Sequence, residues 1–417
     1  MRSLLTFFSL IFFTNCFSQD TTFARKTIDT LTSSYFCGRG ALKNGEKKAA
    51  NYIALQYKKN KLIPFEQAYF QKFTSPINTI TGNISVRLDK RNLLIGRDYI
   101  IGAESGSLNG KFDLVYYNKE NLPDLNELKS LAEESFFKNK AVVLDVKGIE
   151  NNTKALELIN TNKIGALCLV FITDKLTHHL SKANKNYGVI HVLRTRFKFT
   201  YKTITLNINQ KLLNNYQSQN VIAYLKGTQY PDSFIVLSAH YDHLGKMGNE
   251  IYFPGANDNA SGVAMLLNMA KHYAQNPPTK SIVFIAFGAE EIGLVGSKYF
   301  VEHPLIPLKQ INFVFNMDLM GTGSKGGMIV NGKVFEKHYE QLVKINTKNN
   351  YLPLIKKRGK AANSDHYWFS EKGIPAFFMY LMGGVNAYHD IDDVSKTLPL
   401  TEYEDSFRLI RDFVDEL

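Results

Sequence analysis

The sequence predicts an α/β fold, a mostly parallel central sheet wrapped by helices, carrying an inserted β-rich accessory domain. Three observations lead there. From Asn220 onward, short apolar runs alternate with amphipathic stretches of helical period, the pattern of strands joined by helical crossovers. Between Asn83 and Tyr201 the texture changes to short β-rich runs bounded by polar residues,. Finally, almost every cluster of acids and imidazoles falls just past the end of an apolar run, where the strand ends of a parallel sheet converge on one edge.

At 417 residues the chain is too long for one ordinary domain,. The division predicted is a signal peptide over 1–19, an N-terminal part of the main domain over 20–82, the insertion over 83–205 and the rest of the main domain over 206–417. Arg2 ahead of the apolar run Leu4 to Phe13 has the layout of a secretory signal and is too short to span a bilayer,. Cleavage is expected near Ser18 and Gln19, and Phe13-Thr14-Asn15 before Cys16 is a poor match to a lipidation box,. The expectation is therefore a secreted or periplasmic protein without a transmembrane span. Cys37 and Cys168 remain in the mature chain, to pair or to stay free, and do not make a disulfide scaffold,. The net charge of +12 is spread over scattered lysines without a dense block, which argues against a nucleic-acid partner,.

In chain order, Cys37-Gly-Arg-Gly40 reads as a glycine-punctuated loop in which Arg39 is either a ligand-binding or a surface residue,. Ala49, Ala50, Ile53, Ala54 and Tyr57 recur at helical spacing within an amphipathic helix over Gly45 to Asn60,. In the insertion, strands are expected at Asn83–Leu88, Phe112–Tyr117, Ala141–Val146, Ala166–Ile172 and Gly188–Leu193, with one helix at Thr153–Asn160. His178 and His179 lie in a polar stretch, and adjacent histidines point apart,. The insertion is expected to shape or cover a site built elsewhere.

That site starts at Ser233-Phe-Ile-Val-Leu-Ser238, a buried strand delivering His240 and Asp242 at its end. Asp258 opens the loop before a helix, Glu290 and Glu291 follow the run Ser281 to Phe287, Asp318 ends Ile311 to Met317, and His389 lies in a loop near the C-terminus. Singly these residues have plain explanations: Asp258 as a helix cap, Glu290-Glu291 as a solvated helix start. Their concurrence past successive buried strands favours a catalytic metal site, since imidazole plus carboxylate is a ligand set for zinc. His243 is expected to pack or hydrogen-bond, and neither it nor His272, His303 or His338 is expected to bind metal.

The ordered motifs His240-Tyr-Asp242, Gly255-Ala-Asn-Asp-Asn-Ala-Ser-Gly262, Glu290-Glu-Ile-Gly-Leu-Val-Gly-Ser297, Asn316-Met-Asp318, Ser364-Asp-His366 and Tyr388-His-Asp-Ile-Asp-Asp393 resemble the secreted di-zinc aminopeptidases. The wider family includes glutamate carboxypeptidases and glutaminyl cyclases. The resemblance covers the chain from about residue 220 to its end. Less sharply, Cys37 to Gly40 resembles that family's N-terminal segment, and Lys140-Ala-Val-Val-Leu-Asp145 with Gly165-Ala-Leu-Cys-Leu-Val170 resembles a protease-associated domain.

The resemblance implies two Zn2+ ions bridged by Asp258, with His240 and Asp318 on one and Glu291 and His389 on the other. It implies Glu290 as general base, Tyr388 as oxyanion donor, Asp242 as acceptor of the second N–H of His240, and Asp393 as a loop-orienting residue. Ser364, Asp365 and His366 would have supporting roles. The expected substrates are peptides, cut at the N-terminus. Carboxypeptidase action, for which Lys356, Lys357 or Arg358 would bind a substrate carboxylate, and glutaminyl cyclisation stand as alternatives.

Overall fold

The computed structural model describes residues 21–65, 68–149 and 153–417. The expected signal segment lies outside them. Twelve strands frame the description: β1 Phe70–Leu88, β2 Leu108–Tyr117, β3 Lys140–Leu144, β4 Cys168–Thr173, β5 Gly188–Leu193, β6 Thr203–Leu225, β7 Tyr230–His240, β8 Lys280–Phe287, β9 Ile311–Met317, β10 Gly327–Val330, β11 Ile355–Lys357 and β12 Ala376–Leu381. The helices are α1 Thr21–Leu31, α2 Gly45–Lys59, α3 Leu125–Glu133, α4 Thr153–Asn160, α5 Gly262–Gln275, α6 Val295–Glu302, α7 Glu336–Asn349, α8 His366–Glu371 and α9 Tyr403–Asp415.

One sheet runs β11-β10-β12-β9-β7-β8-β6-β2-β3-β4-β5, with β1 paired to β6. β7 pairs parallel with both β8 and β9, and β9 parallel with β12. These central strands are buried on both faces, which is why they read as continuous apolar runs rather than alternating ones,. On one face α5, apolar all round over Val263–Leu267, packs with α1, α2 and α9. On the other, Phe300 of α6 and Phe369 of α8 pack beside Val283 and Val314.

Residues 108–193 are more helical than the sequence suggested. β2, β3, β4 and β5 form a parallel run, and α3 joins α4 on one face, burying Leu128, Ala155 and Ile159. The unread α3 carries a cap signal: the Asp124 side chain accepts the N–H of Asn126 and Glu127,. The expected edges at 83 and 205 fall inside β1 and β6, antiparallel strands of 19 and 23 residues that cross those edges without a break. Cys37 and Cys168 are both free.

Candidate active site

Strand register places the first residues. Ser238 of β7 pairs with Asn316 of β9, so two residues later His240 and Asp318 emerge level with one another. His240 pairs with Phe287 of β8, after which the chain turns through Gly288 and Ala289 to Glu290 and Glu291. These ends form one edge of the sheet and the floor of an open cleft of about 430 Å³ lined by His240, Asp258, Glu290, Glu291, Asp318 and His389.

Asp258 lies in the middle of this floor, on the loop ahead of α5. Its two carboxylate oxygens face different partners. Oδ1 is 3.3 Å from His240 Nε2, which is also 3.4 Å from Asp318 Oδ2. Oδ2 is 3.0 Å from His389 Nε2, which is also 3.2 Å from Glu291 Oε2. Ligand atoms of His240, Asp258 and Glu291 all fall within 4.8 Å of one another, so the two pairs converge on the shared aspartate.

The Asp258 loop is held from three sides. The Asp393 carboxylate accepts the N–H of Asn257 at 2.8 Å and of Asp258 at 3.0 Å. Asn259 donates to the Met317 carbonyl and accepts the Gly262 N–H. The Asp258–Asn259 peptide is cis. Gly255 has φ 61°, and a Cβ there would lie 2.2 Å from the Asp258 carbonyl and 2.4 Å from the His243 ring, so only glycine fits,.

Arg39 completes the support. It is neither a surface nor a cleft residue. Fully buried, it donates to the carbonyls of Tyr241, Pro254 and Gly255 at 2.6–2.9 Å and of Leu31 and Asp258 at 3.2–3.3 Å. Burial lowers its pKa to about 10, partly countered by the Asp258 charge, and it stays cationic. A sequence holds no mark that distinguishes such a clamp from an exposed arginine.

Asp242 is placed differently from the expected role. Its carboxylate oxygens accept the backbone N–H of Glu290 and Glu291 at 3.0 and 3.2 Å. His240 Nδ1 instead meets the Asp242 backbone carbonyl at 3.2 Å, with the carboxylate 3.8 Å away. Asp242 thus fixes the turn bearing the two glutamates. His243, expected only to pack or hydrogen-bond, contacts Glu291 Oε1 through Nδ1 at 2.7 Å.

On the Asp318 side, Asn316 donates to Ser364 Oγ at 2.8 Å, and Ser364 donates to Asp318 Oδ2 at 3.2 Å. Asp365 and His366 are buried behind the cleft and do not line it. Tyr388 does, with its ring stacked on His389 at 4.0 Å between centroids. Of the basic trio, Lys357 pairs with Glu336, whereas Arg358 lines the cleft and reaches Tyr380 OH at 3.5 Å.

The electrostatics are those of a crowd of acids. Burial and the Asp258 charge raise Glu291 to about 8, and burial with Glu291 nearby raises Glu290 well above its ordinary value, against the pull of His240. Burial favours protonated Asp258, but hydrogen bonds to His240 and His389 outweigh it and hold its pKa well below the usual range. Burial likewise lowers His389, and Glu291 and Asp258 more than offset it, to about 9.

Those groups fit divalent cations. Asp242, Asp258, Glu290, Glu291, Asp318 and Asp365 converge on few permanent positive charges, chiefly Arg39, and Asp318 Oδ1 is buried without a hydrogen bond among the described residues. The separations of 3.0–3.4 Å around each imidazole match ligand atoms sharing one tetrahedral ion. A metal–ligand distance of about 2.0 Å gives tetrahedral edges of roughly 3.3 Å.

Comparison with known proteins agrees with this chemistry. Residues 220–414 match the family model described as peptidase family M28. Aminopeptidase YwaD of Bacillus subtilis is 30% identical over 288 residues, 66% of this chain and 57% of the relative. A probable zinc metalloprotease of Pyricularia oryzae is 41% identical over 111 residues, 26% of this chain and 22% of that protein. The matches thus span only part of the length of these curated relatives. Among solved structures, the zinc aminopeptidase BSAP from Bacillus subtilis superposes with a TM-score of 0.73 at 24% identity, covering 95% of both chains, and shares the fold.

Proposed function

From the premise that residues 220–414 belong to peptidase family M28, we propose that this chain is a zinc-dependent exopeptidase, an aminopeptidase that removes N-terminal residues from peptides. One observation carries the proposal: the two oxygens of Asp258 serve two separate imidazole–carboxylate pairs on the floor of an open cleft. His240 and Asp318 would hold one ion, Glu291 and His389 the other, with Asp258 between. Names of relatives that specify zinc support the choice of metal. When bound, such ions supply Lewis-acid polarisation of a carbonyl and acidify water.

The chain's own groups then divide the work. Glu290 accepts the proton given up by the attacking water and returns it to the leaving amine. Burial, with Glu291 nearby, gives it a higher proton affinity than an ordinary carboxylate, as the role of base requires. Tyr388 donates its O–H to the oxygen that gains charge as the scissile carbonyl becomes tetrahedral. Burial keeps that phenol protonated through neutral pH. Asp242 holds the Glu290–Glu291 turn still, and Asp393 with Arg39 holds the Asp258 loop.

Arg358 in the cleft favours one second reading, a glutamate-carboxypeptidase-like dipeptidase that grips a substrate carboxylate,. The deciding experiment uses a peptide panel with free and acetylated N-termini, zinc added, read by mass spectrometry. N-terminal trimming abolished by acetylation supports the aminopeptidase. Cleavage that persists on acetylated peptides but fails on C-terminally amidated ones selects the carboxypeptidase, and conversion of N-terminal glutamine to pyroglutamate selects the cyclase. Export of the enzyme is the further reading supported by the Leu4–Phe13 run.

A further inference from the structure

We infer that the inserted segment sets the working geometry of the His389 half of the site, with Lys175 as its positioning residue. The inference rests on the di-zinc reading above. Its starting point is the conformation of His389, whose φ of 53° lies in the left-handed region that disfavours any residue with a Cβ,. The loop carrying it lies beyond the sheet edge, and Tyr388 beside it is 42% exposed. Something outside the loop must therefore hold this backbone.

Among the described residues the insertion does so. Past the end of β4, the Lys175 ammonium donates to the carbonyl of Asn386 at 3.0 Å and of Tyr388 at 3.2 Å, and meets Asp390 Oδ2 at 3.2 Å. An ammonium has three protons, and all three are directed at this one loop. Three residues later the backbones interlock. His178 N–H donates to the His389 carbonyl at 2.9 Å, and His389 Nδ1 lies 3.0 Å from the His178 carbonyl. A ring nitrogen facing a carbonyl must carry its proton, which leaves Nε2 free to act as a ligand on the Asp258 and Glu291 side.

The grip is anchored in turn. The His178 ring is buried and stacked on Phe253 at 4.8 Å between centroids. The stretch leading to Phe253 is tied to β1 by Gly248 N–H to the Ile80 carbonyl and Asn249 N–H to the Gly82 carbonyl. By contrast, the contacts of His240 and Asp318 come from Asp242, Asp258, Ser364 and Met379 of the main sheet region. The insertion thus bears on one metal position of the two.

The test uses the full chain loaded with zinc, following transfer of zinc to a chromogenic chelator. Wild-type protein should release two ions. In Lys175→Met, one ion should leave at roughly tenfold lower chelator concentration, the effect of losing an outer support of a ligand, while the other is unchanged. The kcat for a neutral peptide should fall about tenfold with KM nearly constant. Asp390→Asn should shift the same ion less, because Lys175 keeps its carbonyl partners Asn386 and Tyr388 and the asparagine Oδ1 can still accept a loop N–H. Wild-type release profiles and kcat in both variants would overturn the inference and leave the di-zinc reading intact. Loss of both ions together with a lowered melting temperature would overturn it too, showing a general structural role. Wild-type protein that holds fewer than two zinc ions would instead remove the di-zinc reading itself and the inference with it.

Discussion

The two halves of the site are held by different kinds of structure. His240 and Asp318 leave adjacent parallel strands whose register makes them level. Their positions follow from backbone pairing in the middle of a buried sheet. Glu291 and His389 ride on turns, one fixed by the Asp242 carboxylate and the other by Lys175 and His178. A strand end is stiff because neighbouring strands share its hydrogen bonds; a loop is as stiff as the side chains that hold it. The strand-held half should therefore tolerate loss of single outer contacts better than the loop-held half.

The largest effect should come from the residue common to both. Asp258→Ala should weaken both ions together and reduce turnover on the order of 10⁴-fold or more, as removal of a central group in a cooperating set does. His240→Ala should loosen mainly one ion. Metal analysis after dialysis against graded chelator separates the cases: one ion lost from His240→Ala and two from Asp258→Ala. Equal losses would show that the halves are not distinct.

Next in size is Glu290→Gln, which keeps shape and removes only proton transfer. It should retain both ions and lower kcat by roughly 10²–10⁴-fold. Near-normal kcat with zinc bound would remove Glu290 as the base.

The same division explains what could be read from sequence. Strand-borne residues announce themselves: an apolar run followed at once by His240 or Asp318 shows which sheet edge they share. Their supports do not. Arg39 looks like any loop arginine until its five carbonyl partners are seen, four of them about 200 residues away or more in sequence. The His178 carbonyl is a backbone atom and has no residue-type signal at all. Asp242 was legible as a site residue, but which N–H its carboxylate would accept depends on a turn 48 residues later. The long strands β1 and β6 stayed hidden because their middles lose the apolar pattern: in β1 the buried middle carries the polar Asn78 and Thr79, and in β6 the middle is half-buried or exposed.

A smaller effect probes the strand-held half. Ser238 donates to Asn316, Asn316 to Ser364, and Ser364 to Asp318, a relay within the buried sheet. Ser364→Ala removes the last link. It should lower affinity for the ion at His240 and Asp318 by clearly less than the roughly tenfold expected of Lys175→Met for the other ion, and leave that other ion unaffected. A loss of about tenfold or more would show that the strand ends are no stiffer than the loops.

The smallest effect concerns what lies beneath the Glu290–Glu291 turn. Glu46, in the first turn of α2, is buried and accepts the Tyr216 O–H at 2.5 Å and the Ser218 hydroxyl. A Cβ at Gly288 would lie 2.8 Å from its Oε1, so this carboxyl packs directly under the start of the turn. Burial first, and the Asp242 charge second, raise its pKa from 4.5 to about 8, and the hydroxyl donors offset only part of this. The folded state therefore holds the proton more tightly than the unfolded chain. That contribution is fully present below the unfolded pKa of 4.5 and is lost as pH rises through 8,. Glu46→Gln keeps an acceptor for Tyr216 and Ser218 but cannot ionise. With zinc saturating, its stability relative to wild type should improve between pH 6 and pH 9 by on the order of 1 kcal/mol, about 1 °C in melting temperature for a chain of this length. A pH-independent gap would mean that Glu46 does not change protonation in this window, and that the floor of the turn is held by packing alone.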